Sequence, residues 1–158
     1  CLVDSQVRRN LRDSSYNERY NQLKKAEKDL GVEYLGSVKI ENFSKNKFSD
    51  PIVFKRAKHV ITENKRVLDA KKYLLENNIE KFGQLMNESH SSYSKDFEAS
   101  TDDVDIITQR SIEAGALGSR LTGGGFGGFT VSLMKENIYD QWYNSMKKYY
   151  SDDKFFEV

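Results

Sequence analysis

"GSRLTGGGFGGFTVSL", residues 118–133, holds five of the chain's ten glycines between Gly123 and Gly128, broken only by Phe126. Glycine loses more freedom on ordering than any other residue. A cluster is therefore used where φ must be positive or where something approaches the backbone closely. The stretch then runs straight into Phe129, Val131 and Leu133, alternating with Thr130, Ser132 and Met134, which is the period-two pattern of a strand.

That order excludes the common phosphate loops. Gly123, Gly125 and Gly128 satisfy G-x-G-x-x-G, but the dinucleotide loop needs a helix opening at its end, and here a strand follows. A Walker loop needs lysine after its last glycine, and Gly123 is followed by Gly124. The protein-kinase loop wants valine where Thr130 stands, and neither H-R-D nor D-F-G occurs. What remains is a glycine turn flanked by Ser119, Arg120 and Thr122. Its successive N–H groups can form an anion-binding nest, or it can simply let a neighbouring backbone pack tightly. The residues alone leave both readings open.

Working outward, residues 1–7 read as a short strand around Leu2 and Val3. A helix is predicted from Asp13 or Ser14, with Tyr16, Tyr20, Leu23 and Leu30 close to one face and Gly31 ending it. Asp50-Pro51 suits the start of a long amphipathic helix that runs through Val53, Ala57, Val60 and Ile61 and continues past Val67 and Leu68 to Leu75. Asn77-Asn78 break it, and Ile79, Phe82, Leu85, Met86 and Tyr93 mark the next helix. Near Ser100-Thr101, hydroxyl caps precede a helix whose first turn carries Asp102, Asp103 and Asp105 and which stops near Gly115. After the glycine-bounded strand come a last helix, Ile138 to Tyr149, and a closing strand, "KFFEV". The order β-α-α-α-α-β-α-β predicts an α+β fold, its few strands packed on one side by helices.

At 158 residues the chain is one domain's worth. A net charge of +1, with acidic and basic residues interleaved, offers no field for nucleic acid or an anionic membrane. One cysteine, at position 1, allows no internal disulfide and fits a reducing, cytoplasmic setting. Two histidines give no ordinary zinc site. His90 among serines lacks the elbow that exposes a nucleophile and reads as a capping or core-edge histidine. His59 and Glu63 read as a polar contact between helices, and Glu63 with Arg66 as a local ion pair.

"GALGSRLTGGGFGGFTVSL" resembles the third signature of the GHMP small-molecule kinases in its galactokinase form, R-M-T-G-G-G-F-G-G-C-T-V, with Leu121 for methionine and Phe129 for cysteine. Three further stretches agree in order. "DSSYNERY" is similar to S-E-Y-N-x-R, and "FKRAKHVITENKRV" to R-A-R-H-V-V-x-E-N-x-R-V. "FGQLMNESHSSYSKDFEAS" is similar to G-x-L-M-x-x-S-H-x-S-L-R-D-D-Y-E-V-S. The family's first signature, its P-x-G-x-G-L-S-S-S-A phosphate loop and its catalytic aspartate and arginine have no counterpart here.

The resemblance implies that residues 1–158 form a ferredoxin-like C-terminal domain, with a small, mostly antiparallel sheet facing a nucleotide-binding N-terminal half. It implies transfer of the γ-phosphoryl group of ATP to the C1 hydroxyl of galactose, assisted by Mg2+, with both bound mainly by that other half. Tyr16 is then the residue that lies on the sugar. Gly123, Gly124, Gly125, Gly127 and Gly128 support the triphosphate, with Ser119 and Arg120 at the loop's entrance and Arg8 on the phosphate side. Catalytic groups are expected outside this chain, which alone should be inactive. Competing expectations are a kinase for N-acetylgalactosamine, a silent sugar sensor that binds a transcriptional regulator, and a stand-alone regulatory module. On the residues themselves, Tyr16 also suits a core stripe, Arg8 a surface cation, and Arg120 a pair with a helix carboxylate.

Overall fold

The computed structural model describes residues 1–8 and 14–157. Asp13, offered as a possible helix start, and Val158, the end of the closing strand, lie outside the described residues. Four strands, β1 (Leu2–Asp4), β2 (Gly118–Thr122), β3 (Phe129–Leu133) and β4 (Phe155–Phe156), form one sheet in the order β2-β3-β1-β4. Every neighbouring pair is antiparallel. The helices are α1 (Ser14–Leu30), α2 (Pro51–Leu75), α3 (Ile79–Ser92), α4 (Asp102–Glu113) and α5 (Tyr139–Met146). The α+β class expected from sequence is the one found.

Strand β2 is a correction to the sequence reading, which placed no strand before the glycine cluster. The cluster is the connection of a β-hairpin, with Thr122 paired to Phe129 and Gly118 to Leu133. The inward positions of β2 hide its period, because one of them, Ser119, is polar. Its hydroxyl lies 2.9 Å from that of Ser132, which accepts from Ser111 of α4 at 2.7 Å. Ser111 in turn accepts from the Trp142 indole at 2.8 Å. All four residues are buried, and the chain of bonds satisfies their polar atoms inside the layer between sheet and helices.

Hydrophobic burial is divided between two clusters. Val3, Ile107, Ala116, Trp142 and Met146 pack the sheet against α4 and α5. Ala26, Leu35, Val53, Ala57 and Ile61 pack α1 and α2 around a segment of single 3-10 turns over residues 35–47. The α1 stripe is therefore Leu23, Ala26 and Leu30, while Tyr16 and Tyr20 are exposed. On α2 the stripe is buried only over its first half, and Val67, Leu68, Leu74 and Leu75 are exposed.

Helix α3 lies along the outer edge of β2. Two facing glycines allow this approach: a Cβ on Gly83 would sit 2.6 Å from the Leu117 carbonyl oxygen, and one on Gly118 would strike the Gly83 backbone. Asn87 then accepts from the Ser119 N–H at 2.9 Å and donates to the Leu117 carbonyl at 3.2 Å, and His90 Nδ1 accepts from the Leu121 N–H at 3.3 Å. Side chains one helical turn apart thus satisfy the open edge of the strand that feeds the glycine loop.

Candidate functional site

The loop begins exposed at Gly123 and Gly124 and turns inward at Gly125 and Gly127. Gly123, Gly125, Gly127 and Gly128 have φ of +90°, +82°, +115° and +88°, and Phe126 joins them at +61°, which is uncommon for a bulky residue. These glycines divide into two kinds. A Cβ on Gly125 would lie 2.5 Å from the Ala99 carbonyl and 2.9 Å from the Tyr93 ring, and one on Gly127 would lie 2.5 Å from the Val7 carbonyl. Those two positions admit a neighbouring backbone. Around Gly123 and Gly128 a Cβ would meet nothing within 4 Å, so there the backbone is bare toward open space.

Two segments brace the loop. The Gly128 N–H donates to the Val7 carbonyl at 2.9 Å, and the Gly128 carbonyl accepts from the Ser5 N–H at 2.9 Å and the Ser5 hydroxyl at 2.7 Å. On the other side the Phe126 N–H donates to the Ala99 carbonyl at 2.7 Å. Ala99 follows a π-helical turn, Tyr93–Phe97, that extends α3 and ends with Glu98 in the left-handed region at φ 53°. From α1, Arg19 donates to the carbonyls of Phe97 at 2.7 Å and Glu98 at 2.9 Å. Arg19 lies one turn beyond Tyr16, so the start of α1 and the glycine loop are fastened to the same turn. Tyr16 is 56% exposed there.

The remaining candidates fall in different places. Arg8 follows Val7 beside the loop, and its guanidinium forks onto Asp4 with N–O distances of 2.6 and 2.5 Å. That hydrogen bond, opposed by burial, holds the Asp4 carboxyl below its ordinary value. Arg120 points to α2, where it meets Glu63 at 3.2 Å, and Arg66 meets the same carboxylate at 2.7 Å. Burial pushes Glu63 up, but bonds from Ser89 and Arg66 and the two guanidinium charges prevail, leaving it below its usual value. Ser119 is buried, its hydroxyl part of the serine chain beside Ser132.

His59 and His90 support the loop from beneath. His59 is buried, stacks on Phe97 at 4.9 Å and meets the edge of Tyr93 at 5.1 Å. Its Nδ1 lies 3.0 Å from the Ser92 hydroxyl, and burial pushes its pKa down to about 4. His90 accepts from Leu121 through Nδ1, so Nε2 carries the proton and faces Asp105 at 3.2 Å. Burial lowers its pKa as well, against the pull of Asp105. Among the described residues no group of three His, Cys, Asp or Glu side chains is placed to hold a metal ion. No helix among them is long and apolar enough to cross a membrane.

The turn 93–99 and the arginines that hold it were missed from sequence. The signal was present at Arg56. It interrupts the apolar stripe Val53-Ala57-Val60, which puts a charge where only a fully bonded one is tolerated.

Comparison with known proteins agrees with this architecture. The family model described as GHMP kinases C terminal matches residues 70–152. The galactokinase of Clostridium acetobutylicum is 38% identical over 158 residues, covering 96% of this chain and 41% of its own length. That of Enterococcus faecalis is 37% identical with the same coverage, 96% and 41%. The crystal structure of Lactococcus lactis galactokinase complexed with galactose matches 93% of this chain and 40% of its own with a TM-score of 0.87 at 30% identity. L. major mevalonate kinase in complex with R-mevalonate matches 98% of this chain and 39% of its own with a TM-score of 0.65 at 22% identity, a likeness of fold alone. The chain spans about two-fifths of the length of these relatives. With the family model lying over more than half of its residues, the chain belongs to the GHMP kinase C-terminal family.

Proposed function

We propose that this chain is the C-terminal part of a galactokinase, which transfers the γ-phosphoryl group of ATP to the C1 hydroxyl of galactose. The chain supplies a sugar contact, Tyr16, and a bare stretch of glycine backbone toward the triphosphate. The observation that carries this reading is the division of the glycines. Gly125 and Gly127 are explained by the protein's own packing and the Gly128 N–H is taken by the Val7 carbonyl, whereas Gly123 holds positive φ with open space where a side chain would stand. Backbone N–H groups in such a loop suit phosphate oxygens, whose charge they receive without a side chain in the way. Tyr16, exposed on the helix fastened to the same turn, offers an aromatic plane and a hydroxyl to a sugar. Of the neighbouring cations, Arg8 stands nearest in sequence to the bracing segment, and Arg120 acts through its pair with Glu63.

ATP, Mg2+ and the remaining wall of the cleft are assigned to an N-terminal half of the same protein, and phosphoryl transfer would depend on positioning across that cleft. The chain assayed alone with MgATP and galactose is expected to form no galactose 1-phosphate. Substituted for the matching segment of the Clostridium acetobutylicum galactokinase, it is expected to form it. Turnover by the chain alone, or a folded chimera that binds neither substrate, would contradict the proposal.

A further inference from the structure

We propose that Arg56 is a positioning residue that holds the glycine loop and the start of α1 as one rigid unit, acting through the turn 93–99. The last carbonyls of a helix have no donor within it and carry the negative end of its dipole. Here four consecutive carbonyls are satisfied from three different elements. Asp96 O accepts from Arg56 Nη1 of α2 at 2.6 Å. Phe97 O and Glu98 O accept from Arg19 of α1 at 2.7 and 2.9 Å. Ala99 O accepts from the Phe126 N–H of the glycine loop at 2.7 Å.

Arg56 is the donor that ties α2 both to α1 and to the turn. It is 2% exposed, and its Nε donates to Gln22 of α1 at 2.9 Å. Its Nη2 donates to the Glu98 carboxylate at 2.7 Å, and this bond leads the causes that keep the Glu98 pKa low. The guanidinium is a planar fork whose N–H groups diverge in fixed directions, and a lysine ammonium at the same place cannot serve three such acceptors. Glu98 is held at positive φ by contacts on both its carbonyl and its carboxylate, which keeps the chain turning toward Ala99. The coupling stands on these bonds alone. Its consequence for substrates rests on the functional reading above.

The test is amide hydrogen exchange on the 158-residue chain and its Arg56→Lys variant, read at Phe126 and, as a distant control, at the Trp142 indole. Arg56→Lys is expected to speed exchange at Phe126 at least tenfold and to shift the amide resonances of residues 17–22, while the Trp142 indole, bonded to Ser111, is unchanged. Should that variant fail to fold, Gln22→Ala removes the arm to α1 together with the Gln22 bonds to Arg19 and Glu18, and about a threefold acceleration at Phe126 is expected. Unchanged exchange at Phe126 in a folded variant of either kind overturns the proposal. A loop that responds to Arg56→Lys, together with a folded galactokinase chimera that binds neither MgATP nor galactose, supports the coupling and counts against the functional reading, so the two fail separately.

Discussion

At the scale of single residues, the glycine loop shows that one motif can answer to two constraints. Replacing Gly125 with alanine combines a left-handed backbone with a Cβ driven into the Ala99 carbonyl and the Tyr93 ring. The expected loss is about 3 kcal/mol. Gly123→Ala meets open space and carries only the conformational cost, about 1 kcal/mol. Urea denaturation of both variants measures the difference, and equal losses would show that packing against residues 93–99 does not constrain the loop. The sequence made the need for glycine plain but not its division, because the partners of Gly125 and Gly127 lie far away along the chain. Arg120 illustrates the same limit. Its position beside the loop and its pairing with a helix carboxylate were both legible, but not which carboxylate; the partner is Glu63 on α2.

Among the elements, what was legible followed local chemistry. Asp50 accepts from Ile52 at 2.8 Å at the start of α2, and Thr101 accepts from Val104 at 3.4 Å at the start of α4, where caps were expected. The strand after the loop declared itself by alternating large apolar residues. Strand β2 did not, because a buried serine occupies one of its inward positions. That serine belongs to a chain of bonds that no local rule reveals. Ser111 is its centre, accepting from Trp142 and donating to Ser132. Ser111→Ala leaves a buried indole N–H without an acceptor, and the expected cost is about 2 kcal/mol, read from thermal or urea unfolding. A neutral substitution would mean that the layer between sheet and helices is held by apolar packing alone. The exposure of Tyr16 has an equally physical origin: it lies close to the face of Leu23 and Leu30, but the cluster that α1 packs into takes up only the helix from Leu23 onward and leaves its first turns uncovered.

For the whole molecule, burial of two neutral histidines gives stability a definite pH dependence. A histidine whose folded pKa is lowered binds protons more readily when unfolded, so acid favours unfolding once the pH drops below the ordinary value of 6.5. For His59 the loss accumulates between pH 6.5 and about 4, at up to about 1.4 kcal/mol per pH unit. His90 adds to it from the same upper limit. Asp4, Glu63 and Glu98, held below their ordinary values, contribute stability that is lost only as the pH falls further, below 4.5. Unfolding free energies from pH 7.5 to 4.5 should therefore fall steadily, and His59→Gln should flatten the slope. A slope unchanged by that substitution would show that His59 is not buried neutral. The claim on which the functional reading turns is that Gly123 faces nucleotide while Tyr16 faces sugar, and steady-state kinetics of the galactokinase chimera test it most directly. Gly123→Ala is expected to raise the KM for ATP severalfold with the KM for galactose unmoved, and Tyr16→Phe to do the reverse. An ATP KM indifferent to Gly123→Ala would contradict it.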